Sequence, residues 1–387
     1  MFPHSPRELR RFLTLCLGAL TLILGAVDAS ATSDAPLDSA PVEIVPAGPS
    51  LPASAWRSGA VYARLGDTLL IVGGRQGDGW ASDVLAIEPD ASVRSIPVEL
   101  PPKIEAVGVV HDRRLVLLGG RSSSSPSAAV HALALDNGAL TTVAWPDLPL
   151  AGPVAGAAIL QGRLYVLAGP SAAPADHTPL WSIDPARPGD GWRVEPALPS
   201  APRARPLLAV QHGGLHVFGG ESSADGAAAP STAWAFLPRP REASVVQGWI
   251  RLPDAPRSFA VGTAWPAGQA SILLHVETAD GPRTLVYNAI TEGWAELAAP
   301  ALPTGSTAVA PPAARLALSP GSAAGEAPSL HTIAPSRYTR TLGLGDYLVI
   351  LAYFAAMAGI GVYFGKKQDT PEEFTLGGRK VKWWAAG

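Results

Sequence analysis

The chain has 387 residues, a formal net charge of −3, 47% apolar residues, 40 glycines and 39 prolines. Such a length holds two ordinary domains or one large repeat array, and near-neutral charge excludes an electrostatic case for binding nucleic acid. The apolar share excludes wholesale disorder, and the Gly/Pro content suits many short strands joined by tight turns.

Residues 1–31 read as an export signal. Arg7, Arg10 and Arg11 form a basic start, Phe12 to Val27 is an apolar stretch, and Ala29-Ser30-Ala31 offers a small-residue cleavage site. The alternative is an uncleaved anchor helix, for which the apolar run is short. The one cysteine, Cys16, lies inside this stretch, so a processed chain holds neither thiol nor disulfide. Residues 32–40 form a linker.

From residue 41 the chain repeats itself. "LLIVGG" (69–74), "LVLLGG" (115–120), "LYVLAG" (164–169), "LHVFGG" (215–220) and "SILLHVE" (271–277) read alike, with a fainter "ARLALS" at 314–319. Their spacing, roughly 46 to 56 residues for the first five, is the kelch range. Each is preceded by a small apolar strand and a polar turn. Each is followed by a third strand such as "SDVLAIEPD" or "PLWSIDP"; several units add a tryptophan-marked fourth such as "GWRVEPALP". Four short strands per unit, repeated, make a propeller blade. Glycine pairs at the end of strand two allow a bend with positive φ, and Trp192, Trp249 and Trp294 have the bulk to fill the seams between blades. The last unit lacks a fourth strand, and "PVEIVPAGPSLP" (41–52) has the missing pattern. The expectation is a six-bladed kelch-type β-propeller over 41–335, all-β, with residues 41–47 closing the last blade so that no sheet edge stays open.

After a linker at 336–345, residues 346–365 read as a transmembrane helix. Tyr347 to Phe364 is an apolar run broken by tyrosines alone, and its eighteen residues span ~27 Å. Lys366 and Lys367 follow at once, and four of the five lysines lie beyond the helix. The positive-inside rule then puts 366–387 in the cytoplasm and the propeller on the periplasmic side of the inner membrane, in agreement with the export signal.

The segment 345–387 resembles the N-terminus of sodium:solute symporter family transporters. The residues that carry the resemblance are Asp346-Tyr347, Lys366-Lys367, Phe374, Gly377-Gly378-Arg379 and Trp383-Trp384. It implies that the chain is the front of a larger transporter, whose remaining helices bind Na+ and solute. No cofactor is expected in this chain itself.

The propeller resembles the sialic acid mutarotases and a cyclically permuted relative sometimes fused to such symporters. Their repeats carry Gly-Gly-Glu, a later Gly, then Arg-Thr. Blade five reads "HVETADGPRT", so Glu277, Gly281, Arg283 and Thr284 match while His275-Val276 replaces the glycine pair. Blade four keeps Gly219-Gly220-Glu221 but has Ala227 at the arginine position. The resemblance implies Glu277 and Arg283 as the catalytic pair. Mutarotation opens a cyclic hemiketal and recloses it, which a carboxyl serves by taking and returning protons, while an arginine holds a carboxylate in two-point contact. The bland alternative is a surface ion pair.

Counting back from the repeats, Arg57, Lys103, Arg203 and Arg257 fall at equivalent places ahead of the first strands, and Glu105 and Arg205 lie two residues further on. With Glu221 these form a candidate anion-binding mouth; the alternative is a set of arginines bonded to loop carbonyls. The histidines lack metal-ligand spacing, so no metal site is expected. Two functions remain open: a sugar-acid mutarotase or sugar-binding module attached to a sodium-coupled symporter, with a sialic-acid-like anion and the bilayer as partners, or a non-catalytic propeller that binds a partner or regulates the transporter.

Overall fold

The computed structural model describes residues 42–47, 344–365 and most of 51–335; the gaps in the last span are 77–78, 99, 101–103, 123–124, 150–151, 171–175, 223–230, 239–247, 298–301, 310–315 and 321–326. The export signal, the linker 32–40, residues 336–343 of the second linker, Lys103 and the segment 366–387 lie outside the described residues, while residues 344–345, expected as linker, belong to the helix. Two compact units are present, one of them 40–336 and the other holding the C-terminal helix.

The unit 40–336 is a six-bladed β-propeller of four-stranded antiparallel sheets. Blade 1 comprises Val61–Leu65, Thr68–Val72, Val84–Ile87 and Val93–Ile96; blade 2 comprises Val107–His111, Arg114–Leu118, Val130–Asp136 and Ala139–Trp145. Blade 3 is Val154–Leu160, Arg163–Ala168, Thr178–Ile183 and Arg193–Leu198, and blade 4 is Leu207–Gln211, Gly214–Phe218, Ala233–Phe236 and Trp249–Leu252. Blade 5 is Val261–Ala267, Ser271–Thr278, Gly281–Asn288 and Gly293–Leu297. Blade 6 takes three strands from the end of the unit, Thr307–Ala308, Leu316–Ser319 and Ser329–Pro335, and its fourth from the beginning, Val42–Pro46. Val42 pairs with Pro335 and Pro46 with His331, so the two ends of the ring are joined by a strand ladder.

Burial explains the sequence pattern. Second strands such as "TLLIV" are apolar beyond the first position because each blade packs on two neighbours, and all five residues are buried. Outer strands such as Val93–Ile96 bury one residue in four and face water. Successive side chains of a second strand join alternate seams: Leu69 and Ile71 meet blade 6, whereas Leu70 and Val72 meet blade 2. Six hydrophobic clusters result, one for each seam of the ring.

The tryptophans fill those seams and add a directed bond. The indole N–H of Trp192 donates to the Pro146 carbonyl (2.9 Å), Trp249 to Pro196 (2.7 Å) and Trp294 to Pro253 (2.9 Å), each time reaching the preceding blade. An amphipathic ring does both jobs: its body is buried and its one donor is satisfied.

The glycine pair has a local reason. At Gly220 φ is +104°, and a Cβ there would stand 2.9 Å from the Ala204 carbonyl oxygen. This glycine lets the chain double back over the segment that leads into strand one, where Ala204 pairs with Glu221. Ser58 with Arg75 and Ile104 with Arg121 repeat the arrangement in blades 1 and 2.

The second unit contains the helix Leu344–Gly365, 22 residues long. Its described apolar side chains, among them Leu348, Leu351, Phe354 and Met357, are exposed. Over the described residues no helix is long and apolar enough to cross a membrane, so the structure does not support the span expected over 346–365.

Candidate functional site

One end of the propeller carries the segments that lead into the first strands together with the glycine ends of the second strands. The expected site residues that the structure describes all lie at this end, where they have different surroundings.

Arg57 is 2% exposed and grips Asp83 with two bonds, Nη1 to Oδ1 at 2.9 Å and Nη2 to Oδ2 at 3.1 Å. Hydrogen bonding from Arg57 holds the Asp83 carboxyl below the ordinary carboxylate range. The Arg57 backbone is closed in turn by the buried hydroxyl of Tyr62, which accepts from its N–H (2.8 Å) and donates to its carbonyl (2.9 Å). Burial pushes the Tyr62 pKa up to about 12. Arg203, also buried, donates to the carbonyls of Gly219 (3.0 Å) and Thr232 (3.2 Å), to Ser200 Oγ (2.9 Å) and to Thr232 Oγ1. Both guanidinium groups therefore tie the lead-in segment to the residue just ahead of strand three in their own blade.

Arg257 does not continue this series. Val61, Leu207 and Thr263 are equivalent by pairing, opposite Val72, Phe218 and His275. Arg57 and Arg203 stand four residues ahead of the first two; four ahead of Thr263 stands Phe259, a buried ring that lies where a Gly219 Cβ would be. Arg257 is more exposed and bonds Asp280 (2.7 Å) and Glu296 (3.2 Å). Longer hairpin strands in blade 5 shift the frame that sequence counting uses.

The same longer hairpin decides where Glu277 and Arg283 go. Val276 pairs with Arg283, so these two side chains share a sheet face, and Glu277 projects from the other. Glu277 faces blade 6, where its Oε1 accepts the Gly305 backbone N–H (2.7 Å). Arg283 is bonded to Glu296 (3.3 Å), which Arg257 shares. The structure does not bring Glu277 and Arg283 together as a pair.

Glu105 is exposed with φ +57°, and its N–H crosses to the Gly59 carbonyl of blade 1 (2.9 Å). Arg205, also with positive φ, forms an ion pair with Glu221 inside blade 4. Sequence counting overlooked two arginines. Arg75 and Arg121 directly follow the glycine pairs of blades 1 and 2, are exposed, and occupy the position that Glu221 holds in blade 4. The signal was present as "GGR" in two adjacent repeats. Trp80 stands opposite Arg75 in a short ladder.

Chemically, this end offers two exposed guanidinium groups on neighbouring blades, suited to carboxylate contact. Two cavities, one beside Asp83 and one at the seam of blades 5 and 6, have room for about one water each, too little for a sugar. Among the described residues no three His, Cys, Asp or Glu side chains are grouped to hold a metal ion.

No family model matches the chain. Over 45 residues it is 47% identical to the sodium/sialic acid symporter SiaT of Proteus mirabilis (strain HI4320), a stretch that is 12% of this chain and 9% of that protein. The chain thus covers under a tenth of that relative's length, and its similarity to a known protein is to a short stretch of a sodium/sialic acid symporter.

Proposed function

We propose that this chain joins an extracytoplasmic, sugar-acid-binding propeller to the first membrane segment of a sodium-coupled symporter. The observation that carries the reading is the 45-residue similarity to a sodium/sialic acid symporter in a chain that also folds a six-bladed propeller. The symporter-like residues of 345–387 and the lysines beyond the helix support the membrane half, with Leu344–Gly365 crossing the bilayer and the C-terminus in the cytoplasm. The similarity to a sodium/sialic acid symporter supports a sugar acid as ligand. Tethering such a module beside an uptake route raises local solute concentration.

Binding is the reading that the geometry favours over turnover. Arg283 is engaged by Glu296 and Glu277 by a backbone N–H, while Arg75 and Arg121 present exposed guanidinium groups to the same end. Isothermal titration of the full chain in detergent with N-acetylneuraminate tests this. Saturable binding is expected, weakened roughly tenfold or more by Arg75→Ala or Arg121→Ala, the range for a charged hydrogen bond. A full chain with no heat of binding at millimolar ligand would refute the sugar-acid reading. Anomer exchange of the same sugar, followed by NMR, separates catalysis from binding: acceleration that Glu277→Gln abolishes would establish the mutarotase instead.

A further inference from the structure

The six seams are not alike. Among the described residues, ten to thirteen buried hydrophobic side chains form the core of each of the other five, but the seam between blades 5 and 6 has five: Trp265, Leu273, Leu302, Ala317 and Ile333. Polar groups take up the remainder. The alternation that sends Leu273 and Trp265 toward blade 6 sends Thr263, His275 and Thr284 there too, in one cross-strand row. From the other side, Ala317 and Ile333 face blade 5, and so do Ser319, Ser329 and His331.

This polar layer is incompletely bonded. His331 Nε2 lies 2.7 Å from Ser319 Oγ and 2.9 Å from Ser329 Oγ, but its Nδ1 is buried without a partner. His275 Nδ1 reaches Thr284 Oγ1 at 3.5 Å, and its buried Nε2 makes no full hydrogen bond, with the Leu302 backbone as the polar group near the ring. Thr263 Oγ1 and Trp265 Nε1 are likewise buried and unbonded. Trp265, His275 and Thr284 line a cavity with room for about one water, and Ile44 of the closing N-terminal strand forms part of its wall.

We propose that the seam between blades 5 and 6 is a proton-sensitive opening point, at which blade 6 and its closing strand Val42–Pro46 separate first when His275 and His331 take up protons. Burial lowers the pKa of both histidines. Among the described groups that face them, Glu277 is the one carboxylate, and no arginine or lysine is present; blade 6 and the closing strand contribute hydroxyls and apolar groups. A charged imidazole there has little to pair with and is better solvated once the seam admits water. The sign follows from proton counting. In the opened state a histidine titrates near ~6.5, above its value in the closed seam, so the opened state binds more protons below that pH. Closure is at full strength above ~6.5 and weakens as pH falls toward the lowered values.

Hydrogen exchange followed by mass spectrometry on the full chain in detergent micelles tests this. Between about pH 7.5 and about pH 5.5, after correction for intrinsic rates, exchange in 42–46, 316–319 and 329–335 is expected to rise on the order of tenfold relative to 114–118 of blade 2. The double variant His275→Gln, His331→Gln is expected to lose that rise. Equal protection of blades 6 and 2 at both pH values in the wild type overturns the proposal, whether or not the variant folds. Persistence of the rise in a folded double variant overturns it as well.

Discussion

Arg57 and Arg203 are charged groups set where water hardly reaches, and each is held there by acceptors on both of its terminal Nη atoms. Removing one member of such a set leaves the others unsatisfied, which costs more than the bond is worth. Arg57→Ala is therefore expected to lower unfolding free energy by about 2–4 kcal/mol in denaturant titrations. The pair also has a pH signature. Since Arg57 lowers the Asp83 pKa, its contribution is present at neutral pH and disappears as pH falls through and below the ordinary carboxylate range. Acid titration of stability is expected to be shallower there in the Arg57→Ala chain. Whether an arginine before strand one clamps a blade or faces solvent was not legible from residue type. Arg57 and Arg257 look equivalent in one dimension; only the pairing register of blade 5 separates them.

At the scale of elements, repetition was highly legible. Apolar second strands, glycine ends and tryptophan-marked fourth strands recur because every blade solves the same packing problem. Gly220→Ala tests the turn that doubles back over strand one. With φ at +104° and a carbonyl oxygen 2.9 Å from the new Cβ, the change is expected to cost about 1–3 kcal/mol, read as a drop in thermal midpoint. Blade 5 departs from the rule, and here sequence reading went astray. "HVE" aligns with "GGE" by eye, yet the alternation of core residues puts Val276 and Glu277 where blade 4 has Gly219 and Gly220. Without the glycines the strand runs straight on to Thr278, and its side chains alternate in strict sheet order. That is why Glu277 and Arg283 end on opposite faces.

For the whole molecule, closure is the controlling fact. Deleting Val42–Pro46 is expected to leave the Ser329–Pro335 strand as an open edge. Size-exclusion chromatography of that chain in detergent is expected to show self-association, with exchange protection lost first in blade 6; a monomer with unchanged protection would count against closure by this strand. Among the described residues the ring is also uneven, since the seam of blades 5 and 6, beside the strand that closes it, buries fewer apolar side chains than the other five. By itself the sequence determined the blade repeat and the ring closure pattern, since periodicity and local composition are one-dimensional properties. The tertiary structure alone decided which arginines are buried clamps, that Glu277 and Arg283 part company, and that two histidines distant in the chain meet in one seam. Those outcomes depend on strand register and on which neighbouring blade a side chain faces, and a shift of one residue reverses both.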